Sequence, residues 1–159
     1  MIRDAAPADV EQLLRLIREL AEFERALDAV EATEEDLREA LFCSDSKVFA
    51  LVAEEAGAVV GMAIYFLSFS TWTGRHGLYL EDLFVVPEHR SRGVGRELVT
   101  ALAVRAVQLG CSRVEWAVLD WNEAAISFYE ALGAQAMGDW TTFRLSGPSL
   151  AALGGRPDS

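Results

Sequence analysis

Between residues 48 and 86 the apolar side chains leave helical spacing, and this change of period limits the folds open to the chain more than any other feature. Residues 48–53 and 59–69 are rich in β-branched and aromatic side chains and flank Glu54-Glu55-Ala56-Gly57, which carries a turn glycine, so they read as a β-hairpin. A third strand is predicted from about residue 78 to 86, stopping at Pro87, which has no N–H for a ladder. The stretch Ser70-Thr71-Trp72-Thr73-Gly74-Arg75 before it reads as loop.

On either side of this block the period is that of a helix. Val10, Leu13, Leu14, Ile17, Leu20 and Ala21 make one face of an amphipathic helix of about five turns, with Pro7 and Asp9 suited to its start. Thr33-Glu34-Glu35-Asp36 has the form of a capping box with aspartate in place of glutamate, opening a short helix to about residue 41. Val94, Leu98, Ala101, Leu102, Val104 and Leu109 give the principal helix its apolar side, and Gly110 closes it. Residues 113–119 read as a buried strand, Asn122 as the N-cap of a helix through Tyr129 that ends at Gly133, and residues 141–145 as a last strand. One helical turn near Leu150 and a disordered run over Gly154-Gly155-Arg156-Pro157 finish the chain. This order predicts an α/β domain over residues 1–148, a mixed sheet covered by helices, with a tail over 149–159.

Charge narrows the partners. Fourteen basic against 25 acidic residues leave a net charge of −11, a field that repels phosphate backbones and draws in small cations, so nucleic acid is not an expected partner. Two cysteines, Cys43 and Cys111, are too few for a disulfide framework and have no cysteine/histidine cluster around them, which argues against a zinc site. No apolar run is long enough to span a bilayer and no signal core follows Met1, so no membrane is involved and the cytoplasm is the expected address.

Two stretches carry candidate chemistry. Arg90-Ser91-Arg92-Gly93-Val94-Gly95-Arg96 lies between a strand and a helix, where glycines admit close approach of a ligand and the free N–H groups of a helix start form an anion cradle. It lacks the third glycine of a dinucleotide fingerprint and the Gly-Lys-Ser/Thr of a nucleotide triphosphatase, which leaves the diphosphate of another carrier, such as coenzyme A. Just upstream, Glu81-Asp82 places two carboxylates side by side in an apolar strand, where one unpaired buried charge costs several kcal/mol. Consecutive strand side chains point to opposite faces, so one acid faces solvent or the pair sits at a bulge beside a site. Asp120-Trp121-Asn122-Glu123 then leads into the helix that bears Phe128 and Tyr129.

These residues resemble the GNAT superfamily of N-acetyltransferases, whose loop has the form Arg/Gln-x-x-Gly-x-Gly/Ala, here Arg90-x-x-Gly93-x-Gly95. The resemblance is closer to the diamine (spermidine/spermine) and thialysine acetyltransferases. It runs through Leu16-Ile17-Arg18-Glu19-Leu20-Ala21, Thr33-Glu34-Glu35-Asp36-Leu37, Ser70-Thr71-Trp72, Tyr79-Leu80-Glu81-Asp82-Leu83-Phe84-Val85, Trp121-Asn122-Glu123 and Phe128-Tyr129-Glu130-Ala131-Leu132-Gly133-Ala134. It implies a mostly antiparallel sheet flanked by helices on both faces, with a V-shaped cofactor opening between two central parallel strands.

The resemblance also implies acetyl-CoA as cofactor, without metal. Leu83, Phe84 and Val85 would bond the pantetheine arm and polarise the thioester, Arg90, Ser91, Arg92, Gly93, Val94, Gly95 and Arg96 would hold the diphosphate, and Asn122 would position the arm near the thiol. Glu81 would act as base through water and Tyr129 as acid. A phenol titrates near pH 10 and a thiol near about 8.5, so tyrosine keeps its proton at neutral pH yet can yield it to a nascent thiolate. Phe23, Glu24, Trp72, Glu81 and Asp82 would surround a small cationic amine, acids for the charge and rings for the methylenes. Relatives pair as homodimers that complete each amine site, so a homodimer is expected. Phe23 stands where the animal polyamine enzymes tend to have tyrosine, and the loop after Trp72 is one residue longer. Two other readings keep the fold: acetylation of a protein lysine or N-terminus, and a non-catalytic acyl-CoA-binding module.

Overall fold

In the computed structural model, which describes residues 1–155, the period-2 block becomes an antiparallel meander. Strands β2 (Val48–Glu55), β3 (Ala58–Ser70) and β4 (Arg75–Val85) pair in sequence, β1 (Ile2–Asp4) lies antiparallel outside β2, and β5 (Val114–Glu115) runs parallel to β4. The β2–β3 turn is two residues long, Ala56 at φ 50° and Gly57 at φ 81°, the left-handed pair whose twist suits a tight hairpin. Strand β4 begins at Arg75 rather than near residue 78, and Ser70 and Arg75, the two ends of the expected loop, pair with each other.

The chain divides into two compact units, Met1–Leu119 and the residues from Asp120 onward. In the first, a 3₁₀ turn at Pro7–Asp9 runs into helix α1 (Val10–Phe23), which buries Val10, Leu13, Leu14 and Leu16. Helix α2 (Glu34–Phe42) has the expected capping box: the Asp36 amide donates to Thr33 Oγ1 at 3.2 Å and the Thr33 amide to Asp36 Oδ2 at 2.9 Å. Helix α3 (Val94–Gln108) buries Val94, Leu98, Leu102 and Ala106, and Gly110 at φ 73° ends it in the left-handed region. Arg105 of α3 donates to the hydroxyl of buried Tyr65 at 2.6 Å and to Asp4 at 2.9 Å, tying that helix to β3 and β1.

Helices α1 and α3 cover opposite faces of the sheet. A Cβ added at Gly61 on β3 would lie 3.2 Å from Leu98 and 3.3 Å from Val94, so this face carries α3. Met62 pairs with Phe84, whose ring and that of Phe23 on α1 share one guanidinium, so the alternate residues face α1.

Two expected strands change. Residues 113–119 contribute only Val114 and Glu115, paired with Leu78 and Tyr79, because β5 has β4 as its single neighbour and β4 bends away at a bulge beyond Tyr79. Residues 141–145 form no strand: they are exposed, and no partner among the described residues satisfies their backbone. The second unit instead holds α4 (Glu123–Ala131) and α5 (Gly147–Gly154), the latter two turns rather than one. Gly154 ends α5, while Arg156 and Pro157 of the expected disordered run lie outside the described residues.

The tight seat of α3 on Gly61 gives the first prediction. Gly61→Val will lower stability by about 1–3 kcal/mol through overpacking against Val94 and Leu98, read as a lower urea midpoint with unchanged far-ultraviolet circular dichroism.

Candidate active site

The acidic doublet sits at a β-bulge. Ile64 pairs with Asp82 and Tyr65 with Leu80, so Glu81 is the extra residue on β4. A regular strand would send Glu81 and Asp82 to opposite faces. Tyr79 and Asp82 pair with Phe66 and Ile64, which share the α1 face, and the bulge inserts Glu81 between them. Glu24, at the C-cap of α1, completes an acidic trio. Burial, then the charges of Glu81 and Glu24, push the Asp82 carboxyl up to about 6. Burial also raises the Glu24 carboxyl, and burial followed by Glu81 and Glu115 raises the Tyr79 hydroxyl. Three carboxylates at such close quarters favour a cation arriving from solution.

Beyond Tyr79 the edge of β4 that faces away from β3 has no strand partner among the described residues. The sheet opens there, beside Leu83, Phe84 and Val85. The chain then passes a 3₁₀ turn at Pro87–His89 and reaches the glycine loop, where Ser91 (φ 65°) and Gly93 (φ 84°) are both left-handed. Gly93 is the N-cap of α3 and supplies no side-chain cap, and nothing lies within 4 Å of where its Cβ would be. The space beside Gly93 is thus open, and the first-turn amides, which have no intrahelical acceptor, stand at the positive end of the helix dipole. Arg92 and Arg96 are exposed nearby. These features fit a diphosphate.

Arg90 is turned differently. Its Nε donates to the Val85 carbonyl at 2.9 Å, and its guanidinium lies 5.2 Å from the Phe84 ring centroid and 5.6 Å from that of Phe23. A cavity of about 650 Å³ opens beside this cluster, lined by Phe23, Phe84 and Arg90 together with Arg15, Glu19 and Glu22 of α1. Sequence reasoning missed Tyr79 and this α1 stripe. Both had a signal: Tyr79 stands two residues before Glu81 on the strand, and Arg15, Glu19 and Glu22 recur at helical spacing.

The first unit therefore gathers Phe23, Glu24, Glu81, Asp82, Phe84 and Arg90. Trp72 is elsewhere: it is 89% exposed at the tip of the β3–β4 ribbon, about 20 Å from Asp82 at roughly 3.4 Å per residue from Ile64 to Ser70. Asn122 and Tyr129 belong to the second unit. Asn122 caps α4, its Oδ1 accepting from the Ala125 amide at 3.2 Å, and Tyr129 lies half-buried on that helix with its ring 5.4 Å from Phe128.

An anion cradle at a helix start, an opened parallel strand pair and an acidic bulge together define an acyltransferase site of the coenzyme A-dependent kind. The chain belongs to the acetyltransferase (GNAT) family, whose model matches residues 11–134, and it is an N-acetyltransferase. It is 42% identical to thialysine N-epsilon-acetyltransferase of Bos taurus over 98% of both chains. It is 34% identical to a Homo sapiens spermidine/spermine N(1)-acetyltransferase-like protein 1, covering 94% of this chain and 23% of that one. Among solved structures, an integron cassette protein of V. cholerae superposes with a TM-score of 0.82 at 28% identity, covering 98% of each chain. Family membership implies acetyl-coenzyme A as the acetyl donor. Among the described residues no group of histidine, cysteine, aspartate and glutamate is arranged to hold a metal, and no helix is long and apolar enough to cross a membrane.

The raised Asp82 carboxyl gives the second prediction. The folded state holds this proton more tightly than the unfolded chain, so the site's contribution to stability falls as pH rises from about 4 to about 6. Asp82→Asn will raise Tm by a few degrees at pH 7.5 and leave it nearly unchanged at pH 4, as thermal melts at the two pH values will show.

Proposed function

We propose that the acceptor is a small cationic amine, a polyamine, a diamine or a lysine-like amino acid. The observation that carries this reading is the bulge, which sets Glu81 and Asp82 beside Glu24 and leaves three carboxylates facing the same space. A net charge of −11 adds long-range attraction for such a cation. The names of the bovine and human relatives, one for a lysine analogue and one for polyamines, support the same class.

When bound, acetyl-coenzyme A supplies an activated acetyl thioester. Ser91, Arg92, Gly93, Val94, Gly95 and Arg96 would hold its diphosphate through main-chain amides and two side-chain cations, and the open edge of β4 at Leu83, Phe84 and Val85 would offer main-chain groups to its arm and carbonyl. Asn122 would help to position the arm near the thiol. Glu24 and Asp82 bind and orient the ammonium, with Phe23 against its methylenes. Glu81, the exposed acid, accepts the ammonium proton through water, since a carboxylate is a weak base for an amine. Tyr129 holds a proton at its Oη for the sulfur that leaves.

Trp72 reaches no acceptor carboxylate of its own chain, and we propose that the protein is a homodimer in which it lines the partner's amine site. Exposed apolar side chains in the second unit, Trp140 at 71% and Phe143 at 92%, suit burial against another copy. Two free cysteines, Cys43 and Cys111, suit a reducing compartment, and the cytoplasm is the proposed location.

A thiol-release assay with acetyl-coenzyme A against spermidine, putrescine, lysine, thialysine and a lysine peptide tests the acceptor class. Small amines are expected to outrun the peptide, and a peptide that is acetylated faster would overturn the reading. Tyr129→Phe will lower kcat by a factor on the order of 10² while leaving cofactor affinity within a few-fold. Light scattering will give twice the chain mass for the wild type, and Phe143→Asp will shift it toward one chain.

A further inference from the structure

Arg90 opens the glycine loop, and the family pattern assigns it to the diphosphate, yet its side chain has three other engagements. Its Nε is spent on the Val85 carbonyl, and its planar cation lies against Phe84 of β4 and Phe23 of α1. Building on the acetyl-transfer reading above, we propose that Arg90 is a positioning residue which fastens the cofactor loop to the wall of the amine site.

The covalent neighbours of the two rings give this its force. Phe23 is the last residue of α1 and is followed directly by Glu24. Phe84 lies two residues beyond Asp82 on β4, and so on the same side of the strand. Each ring that touches the guanidinium is thus carried by a segment that also carries an acceptor carboxylate. Holding both rings sets the last turn of α1 against β4, and with it the spacing of Glu24 and Asp82. The third engagement, at Val85, is the final residue of β4 before the turn into the loop. One side chain thereby joins three segments: the loop that begins the cofactor cradle, the strand that carries the bulge and the helix that ends at Glu24.

The cradle does not need Arg90 for its charge. The uncapped start of α3 and the exposed cations of Arg92 and Arg96 already offer donors and charge enough for a diphosphate. Using Arg90 there as well would strip the cation from two rings and the donor from a carbonyl. Lysine could supply a charge to phosphate but cannot both stack as a plane and donate from a mid-chain nitrogen, so the two roles predict different substitutions to be tolerated.

The test compares Arg90→Gln, Arg90→Lys, Phe23→Leu, the double variant Arg90→Gln/Phe23→Leu and Arg96→Gln in the whole protein. Calorimetry gives the affinity for coenzyme A, and initial rates give kcat and KM for the best amine of the panel. In both Arg90 variants coenzyme A affinity is expected to stay within about threefold of the wild type while amine KM rises about tenfold. Phe23→Leu should raise KM at least as much, because it also removes the ring against the methylenes, and the double variant should fall well short of the product of the two single effects, since both remove the Arg90–Phe23 stacking. Arg96→Gln should instead weaken coenzyme A about tenfold at unchanged amine KM. Coenzyme A affinity that falls in Arg90→Gln and returns in Arg90→Lys would make Arg90 a phosphate ligand and overturn the proposal, as would additive KM effects in the double variant. If Arg90→Gln fails to fold, Arg90→Lys and Phe23→Leu carry the same comparison. A wild type that binds coenzyme A but acetylates no amine would sink the reaction assignment, and the proposal with it.

Discussion

One extra residue in β4 breaks the register of the sheet and sets two acids side by side. Strand geometry forbids consecutive side chains from sharing a face, and only a break in register lets Glu81 and Asp82 serve the same space. The bulge costs ladder hydrogen bonds and leaves charge unbalanced, visible in the raised Asp82 carboxyl. Such strain persists only where the surroundings over-determine it. Here they do: β4 is paired along its length to β3, with α1 on one face and α3 on the other.

The same bend shapes the strand edge that leads to the glycine loop. Because β4 turns at residue 81, its parallel partner stays with it for two residues only, and the strand edge beyond is left open. The loop that follows is held by opposite means at its two ends. Gly93 contributes by what it lacks, a side chain that would cap or crowd the helix start, whereas Arg90 contributes by what it grips. Gly61 performs a related service beneath them, letting α3 settle close enough that its first turn is fixed against β3.

Much of this was legible in the sequence because local chemistry decided it. The Ala56-Gly57 turn, the Thr33/Asp36 capping box, Asn122 as N-cap and the left-handed glycines at 110 and 133 each follow from residues within four positions of one another. The acidic doublet announced itself as a conflict between charge and an apolar run. Long-range matters were not legible. Residues 113–119 and 141–145 have strand composition, but a strand exists only where another backbone accepts it, and pairing partners are not written locally. The orientation of Arg90 was hidden for the same reason, since it depends on Phe23, which is distant in the chain and brought near only by α1 lying across the sheet. The resemblance groups Trp72 with the acids, and the length of the β3–β4 ribbon sets it apart from those of its own chain.

The two-residue union of β4 and β5 also bears on how the chain acquires and loses structure. Strands β2, β3 and β4 are joined by tight turns, so their ladders close over short loops and can assemble early, whereas β5 must wait for the α3 crossover. A parallel seam this brief has little cooperativity of its own, so its amides should exchange with solvent through local opening, well below the energy of global unfolding. The β4–β5 seam is therefore the weakest stitch of the sheet, and a ligand seated beside it would slow exchange most at Val114 and Glu115.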